Sequence, residues 1–114
     1  MTMGIKHSIM LVPFVFDDSE ERKIRPVLCL TEPVGQHRHV IVAFISSQIP
    51  DDLLSTDIPL LEGENGFRTS GLKRSSVIRL HKLLTVRTLD MKKRLGHLAP
   101  ELGDEIVTKL HALF

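Results

Sequence analysis

The sequence predicts a mainly β domain: a small barrel-like sheet closed by one C-terminal helix. Two observations carry this. Five or six short apolar runs of strand length are separated by turn chemistry. The last fifteen or so residues then switch to helical spacing. No repeat, low-complexity segment or internal linker divides the 114 residues, so residues 1–114 read as one domain with a sizeable core.

The elements follow in chain order. Residues 1–6 form a lead-in. Residues 8–16 (Ser-Ile-Met-Leu-Val-Pro-Phe-Val-Phe) make a buried strand, since the run is too short for a typical helix. Residues 17–23 are almost all charged and read as a solvated hairpin loop. Arg25 precedes Pro26, which pushes it into extended geometry. Residues 25–30 then form a second strand, starting or edging a ladder because Pro26 has no N–H. Residues 32–36 carry turn chemistry. Residues 39–47 are apolar on both faces and predict a strand covered on both sides. A loop over 49–55 precedes a short strand over 56–61 and a glycine-bearing turn over 62–66. A fifth strand covers 76–83, one helical turn 88–92, and a short strand or extended link 94–98. Pro100 suits a first helical turn. Leu102, Ile106, Leu110 and Leu113 repeat at helical spacing. Glu101, Asp104 and Glu105 near the start, and Lys109 and His111 near the end, complement the helix dipole.

Composition excludes several classes. Charged residues are 25% and hydrophobic residues 42%, ordinary for a soluble globular protein. A net charge of +1 means any polyanion must be held by a local cluster and not by the global field. The single Cys29 excludes an internal disulfide and fits a reducing cytoplasm. No signal-peptide pattern is visible, and no apolar run is long enough to span a membrane. With no Tyr or Trp, base stacking falls to Phe, His or Arg.

Three polar constellations carry the chemistry. Arg25 offers a fixed fork of donors matched to phosphate. At Ser46-Ser47-Gln48 an apolar strand turns abruptly polar. Its hydroxyls can donate to phosphate oxygens or bond the nearby backbone. Arg79 and His81 alternate with Ile78 and Leu80, so a regular strand puts both on one face, about 7 Å apart along the backbone. An arginine can stabilise charge growing on a phosphoryl group, and histidine can move a proton near neutral pH. Taken singly, each has a plain structural reading as a surface residue. Lys73-Arg74 is a basic turn that could touch an RNA backbone. His37 and His39 share a strand face but lack a third ligand, so no metal site is expected. Phe14, Phe16 and Phe44 read as core or dimer contacts.

Five segments in register resemble the PemK/MazF toxins along residues 8–114. They are Ile9-Met10-Leu11-Val12-Pro13-Phe14, Arg25-Pro26-Val27-Leu28, Ile45-Ser46-Ser47-Gln48, Ser76-Val77-Ile78-Arg79-Leu80, and the Leu95-Gly96-His97-Leu98 link with its helix. The resemblance implies an SH3-like barrel of the CcdB/PemK type, a homodimer and a cognate antitoxin. It implies a metal- and cofactor-independent endoribonuclease, cutting single-stranded RNA at specific sequences through attack of a 2′-OH on the adjacent phosphate. It places Arg25 at the scissile phosphate, and Ser46 where the family usually has threonine. Arg79 matches an arginine present in part of the family. His81-Lys82 stands where many members have an acid and a glutamine, so His81 becomes the candidate for proton transfer. Ser47, Gln48, Lys73, Arg74 and Lys82 are the candidate RNA-binding residues. His7-Ser8 replaces the glycine that usually precedes the first strand. The charged loop matches a flexible loop beside the active groove, in position to gate it or contact the antitoxin. The competing reading is a binding module of the same fold without nuclease activity, or a CcdB-like poison of DNA gyrase.

A two-fold homodimer is the first expectation to test, with isologous contact through the C-terminal helix or neighbouring strands. Sedimentation equilibrium at micromolar concentration should give twice the chain mass; a monomer would contradict it.

Overall fold

The computed structural model describes residues 4–15 and 22–114. The strands are β1 (Ser8–Val15), β2 (Arg22–Cys29), β3 (His39–Ser46), β4 (Asp57–Leu60), β5 (Ser76–Arg87) and β6 (Lys93–His97). Helix α1 is a single turn (Phe67–Ser70), and α2 (Gly103–Leu113) ends the chain. All six strands form one antiparallel sheet in the order β4-β5-β3-β2-β1-β6.

The predicted architecture holds, with shifts at element ends. Strand β5 runs to Arg87, because Leu83–Arg87 keep pairing with the first half of β3. Of the charged stretch 17–23, Arg22 and Lys23 belong to β2, paired with Val15 and Phe14. Residues 17–21, and Phe16, lie outside the described residues. The predicted helical turn near Thr88 is a 3-10 turn over Thr88–Asp90. Pro100–Leu102 is likewise 3-10, leading into α2. The expected helical stripe holds at three of its four positions. Ile106 is fully buried and Leu102 and Leu110 pack on the core, whereas Leu113 is exposed.

Both faces of the sheet are covered, as the unbroken apolar run Val27-Leu28-Cys29-Leu30 requires. Leu28 and Leu30 point into one cluster with Ile9, Ile45, Ile78 and Leu80, and α2 caps it through Ile106. Val27 and Cys29 point into the other, with Val12, Val40, Val42 and Val86. Phe14 and Phe44, ring centroids 4.9 Å apart, pack on that second cluster. Burying one such aliphatic side chain contributes about 1.5–3 kcal/mol.

Curling of the sheet is fixed by a close backbone contact. Helix α1 sits between Gly66 and Gly71, both with left-handed φ (96° and 74°). A Cβ on Gly71 would lie 2.0 Å from the Leu95 carbonyl oxygen of β6. A Cβ on Gly96 would lie 2.2 Å from the Thr69 carbonyl oxygen. Each glycine thus admits the other segment's backbone, and the β4–β5 connection closes onto the far edge strand. This turn was not foreseen from the sequence, because a four-residue helix has no periodicity to read.

His7 also adopts a left-handed φ, 71°, where the resembling family favours glycine. Such a conformation costs a non-glycine residue about 1 kcal/mol. Backbone bonds hold it there: its N–H donates to Cys29 O at 2.7 Å and its carbonyl accepts from Leu98 N at 2.8 Å.

Two titrations follow from this packing. Burial, helped by Lys6 and opposed by Glu32, holds the His7 pKa below its ordinary 6.5. As pH falls through that value, the unfolded chain takes up a proton that the folded chain refuses. Stability should therefore drop on the acid side, and drop less in His7→Asn. Urea midpoints for both proteins at pH 7.5 and 5.5 test this; parallel losses would refute it. Burial likewise pushes the Cys29 thiol up to about 12 against the pull of Arg94. Native protein should resist iodoacetamide at pH 8, with labelling only after unfolding.

Candidate active site

Pro26 shapes the first part of the site. Strand β2 pairs with β3 only over Val27–Cys29, whereas it pairs with β1 along Arg22–Leu28. A proline cannot donate to a ladder, so β2 and β3 part at Pro26. Arg25 lies just beyond that parting and is exposed.

Cross-strand register then aligns the remaining parts. Val27 opposes Phe44, Phe44 opposes Arg79, and Arg79 opposes Asp57. Opposed residues share a face, as do residues two apart on a strand. Arg25, Phe44, Ser46 and Arg79 therefore belong to one face of the sheet.

They line one groove of about 730 Å³. Its lining includes Arg25, Ser46, Ser47, Gln48, Lys73, Arg74, Arg79 and Lys82. Of the nine residues predicted from the sequence, these eight come together. Leu11, Pro26, Ile45, Leu72 and Leu95 supply apolar surface, and Ser76 a further hydroxyl. The five basic residues of the lining face no acidic residue within it. Like charges gathered in a concave, partly apolar site reinforce one another's field, which suits a polyanion. The close contact of Gly71 with β6 places Lys73 and Arg74 on the rim.

His81 is the residue that does not join the lining. The expected alternation holds as far as His81: Ile78 and Leu80 are both buried in the inner cluster, while Arg79 and His81 both face Asp57 Oδ1. Regular pairing with β3 is then broken by a bulge in β5. Ala43 opposes Leu83 while the next residue, Phe44, opposes Arg79. Leu80, His81 and Lys82 thus have no partner on β3. Such bulges bend a strand and re-aim its side chains. Lys82 reaches the groove, and His81 Nδ1 lies 4.0 Å from Asp57 Oδ1.

Asp57 was missed by the sequence reading. Its side chain is fully buried, and burying a charge is costly unless it is paired. Here Oδ1 accepts from Arg79 Nε at 3.0 Å and Oδ2 from the Leu54 backbone N–H at 2.8 Å. The Asp57 carbonyl accepts from Lys109 Nζ of α2 at 2.8 Å, and Lys109 also pairs with Glu105 at 3.3 Å. The available signal was an acid inside the strand-like run Thr56-Asp57-Ile58-Pro59, but its partner emerges only from the register.

The Ser46 hydroxyl engages the backbone. Its Oγ accepts from Gln48 N at 3.1 Å and also lies 3.4 Å from Gln48 O. This turn carries Ser47 and Gln48 along the groove. His37 and His39 stack edge to face, centroids 6.0 Å apart. Among the described residues no three of His, Cys, Asp and Glu are placed to hold one metal ion. No helix among them is long and apolar enough to cross a membrane.

Known proteins match this chain along nearly its whole length. The family model of PemK-like, MazF-like toxins of type II toxin-antitoxin systems matches residues 6–114. No curated protein matches. Among solved structures, Mycobacterium tuberculosis toxin MazF-mt6 superposes with a TM-score of 0.67 at 24% identity, over 92% of this chain and 93% of its own. An endoribonuclease in complex with its cognate antitoxin from Mycobacterial species gives a TM-score of 0.70 at 12% identity, covering 96% and 93%. An endoribonuclease from Mycobacterial species gives 0.68 at 13%, covering 98% and 91%. At these identities the superpositions speak to the fold alone, whereas the family match extends over all six strands, the groove and the C-terminal helix. The chain belongs to the PemK-like, MazF-like toxin family of type II toxin-antitoxin systems.

Proposed function

We propose that the protein is a toxin that cleaves single-stranded RNA in this groove. The observation that carries the reading is the convergence of Arg25, Lys73, Arg74, Arg79 and Lys82 on one concave surface without an acidic lining residue. Two structures of the same fold are described as endoribonucleases, one of them bound to its cognate antitoxin. A cognate antitoxin covering the groove would then inhibit this chain as well, and the chain is proposed to act as a homodimer, as the family resemblance implies.

The proposed chemistry is transesterification. The RNA 2′-OH loses its proton and attacks the adjacent phosphorus, forming the second ester bond of a 2′,3′-cyclic phosphate. The bond to the 5′ oxygen breaks, and that oxygen takes up a proton. Charge grows on the non-bridging oxygens in between. Arg25 and Arg79 stabilise it with donors already in place. Lys73, Arg74 and Lys82 hold flanking phosphates, and Ser47 and Gln48 supply polar contacts. The Ser46 role shifts from direct phosphate contact to shaping the turn that presents them. No lining residue is an acid or a histidine. Proton transfer is assigned to His81, which precedes Lys82 of the lining and lies 4.0 Å from the carboxylate that holds Arg79.

Loss of one preorganised donor costs about 10²–10³ in rate. Arg25→Ala should show that loss while melting like wild type, since the side chain is exposed. Arg25→Lys should recover only part, because an ammonium cannot reproduce the planar fork. His81→Asn should lose about 10²–10⁴ and change the shape of the pH–rate profile. RNA with 2′-deoxyribose at the cut site should be bound but left intact. Cleavage of that RNA would refute the mechanism. Retention of RNA with no cutting by wild type would favour the non-nuclease binding reading.

A further inference from the structure

Asp57 is the buried carboxylate among the described residues, and it is held on every side. Its N–H donates to Leu54 O at 3.0 Å, its Oδ2 accepts from Leu54 N at 2.8 Å, and its carbonyl accepts from Lys109 Nζ at 2.8 Å. With Oδ2 engaged, Oδ1 is left for Arg79. That contact is made through Nε alone, at 3.0 Å, and not through the two-pronged face an arginine usually offers a carboxylate. A guanidinium has five N–H donors, one of them on Nε. The other four sit on the terminal nitrogens, on the side chain that lines the groove.

The geometry points to Asp57 as a positioning residue: it grips Arg79 by Nε so that the terminal nitrogens are free for a phosphate in the groove. The same carboxylate oxygen keeps His81, whose Nδ1 is 4.0 Å away, beside that arginine. Lys109 extends the grip to α2, so the C-terminal helix backs the site. What the groove does with the phosphate rests on the nuclease reading; how Arg79 is held does not.

The test has one arm that needs no variant and no activity. In wild type, NMR of 15N-labelled arginine side chains should show Arg79 Nε–H exchanging with water at least about tenfold more slowly than that of exposed Arg38. A second arm is a double-mutant cycle with Asp57→Asn and Arg79→Ala. An amide cannot accept at both oxygen positions, so Asp57→Asn loosens the grip. It should lower kcat by about tenfold or more with KM within about threefold, and should change kcat by less than about twofold once Arg79 is alanine. The cycle is run in parallel on affinity for a mixed-sequence 2′-O-methyl RNA oligonucleotide, where the same coupling is expected. If Asp57→Asn does not fold, Arg79→Lys replaces it. Its ammonium should be drawn to Asp57 and leave activity no better than Arg79→Ala. Fast exchange of the Arg79 Nε–H, equal cost of Asp57→Asn in both backgrounds, or rescue by Arg79→Lys would overturn the assignment. If wild type cuts no RNA, the nuclease reading fails, and Asp57 is judged on the exchange and binding arms alone.

Discussion

The site depends on one interaction, the ion pair between the buried Asp57 and the half-buried Arg79. Asp57 begins the edge strand β4, and Arg79 lies directly opposite on β5. The pair fixes the β5 side chain nearest the sheet's parting, just where β5 stops following β3 in regular register. Beyond it Leu80, His81 and Lys82 bulge, Lys82 enters the groove and His81 turns to the carboxylate. A straight β5 would have put Lys82 on the opposite face from Arg79. The bulge therefore adds a cation to the groove.

The groove itself is a product of two places where regular pairing cannot continue. Pro26 parts β2 from β3 and leaves Arg25 on an exposed ribbon. On the far side, Gly71 and Gly96 let the α1 turn and β6 meet backbone to backbone. That contact closes the curl and brings Lys73 and Arg74 toward Arg25. Side chains at either glycine would meet carbonyl oxygens, so this wall of the groove is set by steric permission and not by an attractive contact. The five cations then act together in a concave site with apolar walls, where their field is stronger than on an open surface.

Much of this was legible in the sequence, for physical reasons. Strand runs show as apolar segments because both faces of this sheet are buried, and the helix shows through Leu102, Ile106 and Leu110. Arg25 could be singled out because a proline beside it constrains its backbone. Ser46-Ser47-Gln48 stood out because polarity changes abruptly at a strand end. What stayed hidden depends on partners distant in the chain. The role of Asp57 needs the β4–β5 register, which no local pattern encodes. The bulge at 80–82, which brings Lys82 into the groove, breaks the regular strand alternation that a sequence pattern assumes. The α1 turn is too short for periodicity. The left-handed φ of His7 is a cost the local sequence argues against and the flanking backbone bonds impose.

We propose that this basic groove cuts RNA through the RNA's own 2′-OH. The most direct measurement is to incubate the purified protein with a long single-stranded RNA in EDTA and map the chemistry of both new ends. The expected ends are a 2′,3′-cyclic phosphate on one fragment and a 5′-OH on the other, at a limited set of sites. Fragments ending in 5′-phosphate, or intact RNA under conditions where the protein binds it, would contradict the claim.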